Sequence, residues 1–197
     1  MRQIINVIDG LNERIGKVVC WLALAMVVVQ FTVVVLRYVF GVSFLWMQES
    51  IVYMHGFLFM LAAAYTLKHD GHVRADIFYR EALPRKKARV NLFGSVFFLL
   101  PMCAVILYTA YPYVYQSWSI LEGSNEASGI QGRYLQKTAI MVFAVLVAAQ
   151  GIVMICRSTL AIKGDKAELE ELSHEEDLEI ADALARAQAL KEQEGAN

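Results

Sequence analysis

What this 197-residue sequence lacks first of all is charge at the centres of its apolar runs. Four long hydrophobic stretches carry no Asp, Glu, Lys or Arg near their middles, so a proton relay or ion path through them would be hard to build. No Gly or Pro pair breaks corresponding stretches as in inverted-repeat carriers, and the chain is not expected to form a transport path alone. Cysteine is scarce. Cys20, Cys103 and Cys156 all lie inside apolar runs, which argues against a disulfide framework and leaves them as small packing residues. A P-loop, a nucleophile elbow and a Cys pair at zinc spacing are all missing, so no enzymatic role is expected. His55 is the lone histidine of the runs, whereas a transmembrane b-type haem commonly takes two axial ligands from facing helices. His69-x-x-His72 with Asp70 and Asp76 is a combination that a charged loop produces freely, and it is not read as a metal site. No cofactor and no nucleic-acid partner is expected.

What is present is apolar. The chain is 57% hydrophobic with a mean hydropathy of +0.45, above the roughly 45–50% of soluble domains. Its net charge of −1 conceals a basic middle and an acidic end, because Lys163 to Asn197 holds eleven of the nineteen acids.

Residues 1–17 place Ile4, Ile5, Ile8, Leu11 and Ile15 at roughly helical spacing among Arg2, Asp9, Glu13 and Arg14, the pattern of an interfacial helix. The fold class expected is an all-α integral membrane protein with four spans, about 18–40, 46–67, 91–115 and 138–162. Each is long enough for about 30 Å of hydrocarbon. The first run is too long for a signal-peptide core, and no A-x-A-like site follows it. Gly41 and Ser43 turn the first connection. Pro101 should kink the third span, and Arg157 should snorkel from the fourth. The segment from Ala75 to Leu83, ahead of Pro84, reads as a short surface helix, and residues 163–197 as an acidic cytoplasmic tail.

Loop charge predicts orientation. Fifteen of the eighteen Lys and Arg lie before the first span, in the second loop or after the fourth span. Both termini and the loop from Lys68 to Arg89 are therefore expected in the cytoplasm. Phe44, Trp46, Tyr111, Tyr113, Tyr115, Trp118 and Tyr134 gather at the opposite boundary.

Polar and small residues within spans are the candidate contacts. Glu49, Gly56 and Ala63 recur every seven residues on the second span, with Tyr53 and Met60 between them. On the first span Ala23, Gln30 and Arg37 do the same. Arg37 and Glu49 are twelve residues apart across a short turn, close enough to pair or simply to set helix depth. Ala144, Ala148 and Gly151 form a small-residue stripe that lets another helix approach, expected to pack within the chain's own four helices.

Trp46 with Glu49 and Tyr53, the run Ala62-Ala63-Ala64, and the following Gly71-His72-Val73 with Asp76 and Pro84 together resemble a known family. It is the small membrane subunit of the tripartite ATP-independent periplasmic (TRAP) transporters, the DctQ-like group. The resemblance covers about residues 10–160, and Ser124 with Glu126 also looks like that family's outer loop. Gln48-Glu49 replaces a frequent acid pair, Val52 a frequent basic residue, and no Pro precedes the fourth span. The resemblance implies a multi-pass protein of the bacterial inner membrane, partnered by a large membrane subunit that moves organic acids with sodium and by a periplasmic substrate-binding protein. The small subunit would brace the former and help dock the latter. The alternative is an anchor subunit of a respiratory or other membrane complex. A self-sufficient exporter would want an acid at mid-membrane, and Glu49 sits too near the Trp46 boundary. A sensor or assembly factor would work through the acidic tail.

Overall fold

The computed structural model describes residues 1–72, 83–126, 128–165 and Glu168. All regular structure among them is helical: α1 (Arg2–Val19), α2 (Trp21–Val39), α3 (Leu45–Lys68), α4 (Pro84–Gly94), a π-turn (Ser95–Leu99), α5 (Leu100–Ser119) and α6 (Arg133–Lys163). Among the described residues, four helical runs are long and apolar enough to cross a membrane: Arg2–Val39, Leu45–Lys68, Pro84–Ser119 and Arg133–Lys163. The expected all-α membrane fold is thus observed. Two compact units are distinguished, residues 1–72 with 96–153, and residues 73–95 with 154–197.

Helix boundaries follow local chemistry. Cys20 keeps right-handed helical angles between α1 and α2, with its thiol on the Lys17 carbonyl. Gly41 (φ +66°) reverses the chain after α2, and Ser43 Oγ accepts a 3.0 Å bond from Gln48 Nε2 at the start of α3. Both α3 and α5 end in a paired closure: Gly71 N–H reaches the Thr66 carbonyl and Asp70 N–H that of Leu67, while Glu122 N–H reaches Ser117 and Leu121 N–H reaches Trp118. This closure puts one residue in the left-handed region, a place usually given to glycine. Here Asp70 (φ 53°) and Leu121 (φ 45°) occupy it.

The third crossing run starts at Pro84, seven residues before the expected boundary, because a proline without N–H fits the first helical turn. The kink expected at Pro101 takes the form of a π-turn over Ser95–Leu99 just before it. Pro101 cannot donate to a carbonyl four residues back and its ring crowds that position, and a widened turn relieves both. Pro112 also lies inside α5.

In the larger unit α3 packs against both α1 and α2. Ala64, Cys103, Leu146 and Val147 form its buried cluster, closed by Ala63, Leu99 and Ala148 among others. Gly16 lies so close to α3 that a Cβ there would sit 2.4 Å from the Tyr65 ring. The buried face of α1 takes only part of the apolar stripe, Ile5 with Ile15 at its edge. Ile5, Asp9, Asn12, Gly16 and Val19 turn inward, while Ile4 (53% exposed), Val7 (70%) and Leu11 (50%) turn outward. No residue of α2 is buried.

In the smaller unit Lys87, Ala88, Ser158 and Ala161 are buried, and Gly164 (φ +90°) closes α6 beside the Arg85 guanidinium. Asp76, the rest of the expected surface helix up to residue 82, and the acidic tail from residue 166 lie outside the described residues, Glu168 apart.

Candidate functional site

Loop 120–132, between α5 and α6, is fastened at the end of the bundle where α3 begins. Glu49, in the second turn of α3, is the fastener. Its Oε1 accepts the Ser124 hydroxyl at 2.5 Å and its Oε2 accepts the Ile130 N–H at 2.6 Å, so one carboxylate holds two points of the loop six residues apart. Both are charge-assisted bonds, the strong class. One turn on, the Tyr53 hydroxyl points at the Ile130 carbonyl, 3.4 Å away. Inside the loop, Glu126 N–H donates to Ser124 Oγ and Gly129 N–H to the Glu126 carbonyl, leaving Asn125, Glu126 and Ser128 exposed at the tip.

Gly129 is required by closeness. A Cβ there would lie 2.2 Å from Ser124 Oγ and 2.6 Å from Glu49 Oε2, within the fastening itself. Gly129→Ala is expected to open the loop and accelerate cleavage at Glu126 by a glutamate-specific protease by roughly tenfold, since cleavage follows the open population. An unchanged cleavage rate would show that the loop is held elsewhere.

A second set of contacts ties α5 to α6. Glu122 pairs with Lys137, whose ammonium also stands 4.0 Å over the Tyr113 ring. That ammonium holds the Glu122 carboxyl below the usual carboxylate range. Trp118 Nε1 donates to Thr138 Oγ1 at 2.8 Å and stacks edge-on against Tyr134.

At the opposite end of α3, polar groups of α1 gather. Glu13 meets Lys68 at 2.6 Å, His69 at 2.8 Å and Lys17 at 3.1 Å. Deeper in, Gln150 of α6 donates to Asp9 Oδ1 at 3.0 Å and accepts from Asn12 Nδ2 at 2.7 Å.

The residues singled out in the sequence separate accordingly. Glu49 and Tyr53 meet the loop, and Gly56 lies against the Gln136 amide. Arg37 is exposed on α2 and does not pair with Glu49, whose carboxylate is turned to the loop. Trp46 is 52% exposed beside Phe44. Ala63 and Ala148 close the buried cluster, Ala144 is fully buried, and Gly151 faces Leu99 and Leu100, so this stripe is covered by the chain's own helices. His72 is exposed, His69 is engaged by Glu13, and no three metal-ligating side chains converge among the described residues. No residue pattern marks Ile130 or Gly129 as loop contacts; Gln150 and Gln30 are legible as candidate hydrogen-bond donors across helices, but Asp9 and Asn12 are not legible as the partners of Gln150. Ser124 and Glu126 stand out in the outer loop, but nothing in the sequence marks Glu49 of α3 as the partner of Ser124.

Neither the curated proteins nor the solved structures searched gave a match. A family model described as the DctQ component of tripartite ATP-independent periplasmic transporters matches residues 26–161. That stretch contains α3, the fastened loop and most of α6, and it is more than half of the chain. The protein therefore belongs to the DctQ family and is the small membrane component of a tripartite ATP-independent periplasmic transporter.

Proposed function

We propose that this chain braces the large membrane subunit of a sodium-coupled organic-acid importer in a bacterial inner membrane and presents loop 120–132 to the periplasmic substrate-binding protein. The observation that carries the reading is the double hold of Glu49 on Ser124 and Ile130, which presents exposed polar groups on a fixed backbone. A fixed surface loses less conformational freedom on docking than a loose one. The excess of Lys and Arg at the termini and the second loop supports a periplasmic position for the Glu49 end. The span centres, without acidic or basic side chains, suit a brace better than a carrier. In this reading the segment 1–17 rides the cytoplasmic interface, 18–162 is the membrane domain, and 163–197 is a cytoplasmic tail. Arg37 and Trp46, both exposed, are offered as partner contacts, and His72 and Asp76 as contacts on the cytoplasmic side.

Affinity purification of the chain in mild detergent from its native membrane, followed by mass spectrometry, tests the reading. A much larger polytopic protein recovered in comparable amount is the expected result. Recovery of the chain alone, or with soluble redox subunits, would overturn it.

A further inference from the structure

Beneath the fastened loop lies an open cavity of about 390 Å³ between α3, α5 and α6. Its apolar lining, taken as the floor, is Gly56, Met60 and Ile140, and its polar lining, taken as the rim, is Tyr113, Glu122, Arg133, Gln136 and Lys137. The volume falls within the range of small-molecule sites, roughly 300–1,000 Å³.

The rim charges are unequally engaged. Glu122 and Lys137 satisfy each other, and the Tyr113 ring lies under the same ammonium. Arg133 and Gln136 are both half-buried, and neither makes a side-chain hydrogen bond or ion pair with a described residue. The carboxylates of Glu49 and Glu122 act on Arg133 only through space. A guanidinium with five donors and an amide with two therefore share the mouth of a cavity whose floor is apolar. The planar fork of Arg matches the oxygens of a phosphate better than a point charge does. Arg133 opens α6 whereas Gly56 and Met60 lie eleven and fifteen residues into α3, so the floor descends along the apolar part of the helix. The ligand chemistry that fits is an oxyanion at the rim joined to a hydrocarbon body below it.

We propose that this cavity seats a phospholipid from the leaflet at the Glu49 end, its phosphodiester on Arg133 and Gln136 and its first chain carbons over Met60 and Ile140. A soluble phosphoester offers the same oxygens without the chain, and a diacylglycerol the chain without the oxygens. The pair separates the two halves of the site.

Native mass spectrometry of the full chain in mild detergent, stripped of lipid and titrated with short-chain phosphatidylethanolamine or phosphatidylglycerol, glycerol 3-phosphate, or the matching diacylglycerol, tests the proposal. One phospholipid is expected to bind wild type at least tenfold more tightly than either fragment. Arg133→Gln should weaken phospholipid binding about tenfold and Gln136→Leu severalfold, with Arg133→Lys between them, and diacylglycerol should not respond to any of the three. Gly56→Leu fills the apolar side of the cavity, where a Cβ already stands 3.2 Å from Gln136 Nε2, and should weaken the phospholipid and the diacylglycerol together, which keeps the site testable if Arg133→Gln does not fold. Glycerol 3-phosphate binding as tightly as the lipid would make the ligand a soluble phosphoester and overturn the proposal. So would diacylglycerol binding equally well, or phospholipid binding unchanged in a folded Arg133→Gln or Gly56→Leu chain.

Discussion

Glu49→Ala is expected to lower substrate uptake by the assembled transporter roughly tenfold or more while the chain still co-purifies with its large subunit. The carboxylate receives Ser124 and Ile130 together, and alanine leaves both donors without their acceptor. Charge-assisted hydrogen bonds are about twice as strong as neutral ones, and losing two at once shifts a loop equilibrium by an order of magnitude or more. Cleavage at exposed Glu126 should accelerate in parallel. Glu49→Gln keeps one oxygen to accept from either Ser124 or Ile130, so both effects should be smaller. Ser124→Ala removes one of the two bonds and should also fall short of the alanine at Glu49. In the double variant the second change should add little, because both act on one contact. Full uptake by a Glu49→Ala chain whose loop is cleaved faster would separate loop order from transport and remove the loop from the docking surface. Full uptake with unaltered cleavage would show that Glu49 does not hold the loop at all.

The contrast between Arg37 and Ser124 as partners of Glu49 shows where sequence reading reached its limit. Arg37 is twelve residues away and of opposite charge, so it was the visible candidate. Ser124 and the Ile130 N–H are seventy-five and eighty-one residues away. A backbone donor has no residue signature, and a loop serine resembles any other. The apolar runs themselves were legible because crossing a membrane demands length and composition, which any window along the chain reports. Their ends were less so. Pro84 reads as a stop after a surface segment, yet it is the first residue of α4, and Pro112 sits within α5 without ending it.

Helix α1 carries the sharper lesson. Its isoleucine and leucine stripe marks one face, and periodicity alone cannot say whether that face meets protein or lipid. In water the apolar face would turn inward. Against lipid the outward face can be apolar too, and in α1 the inward face is mixed: Ile5 and Val19 are buried beside Asp9, Asn12 and Gly16, Ile15 packs on the core cluster, and Ile4, Val7 and Leu11 face out. What makes the buried polar residues tolerable is Gln150 on α6, 138 residues from Asn12, which supplies both a donor and an acceptor to them.

Gln150→Leu should therefore destabilise the chain more than its modest change in volume suggests. Gln150 is 4% exposed and Asn12 1%. Leucine would take the acceptor from Asn12 Nδ2, whose Oδ1 is already without a hydrogen-bond partner, and would remove one donor from the Asp9 carboxylate. Side-chain hydrogen bonds between membrane helices average only about 0.6 kcal/mol, because the unfolded chain in lipid finds other partners. A polar group left buried without any partner costs more, about 1–3 kcal/mol. The second figure governs here, since Asn12 cannot leave the interface while Gly16, one turn on, holds α1 against Tyr65. The expected loss is about 2 kcal/mol, or roughly 4–8 °C in the melting midpoint for a chain of this size. Asn12→Ala combined with Gln150→Leu removes both ends of one bond and should melt above the sum of the single changes, because no orphaned amide remains. Strict additivity, or a Gln150→Leu chain as stable as wild type, would mean that α1 is held by Glu13, Lys68 and the Gly16–Tyr65 contact, with the buried amides contributing nothing.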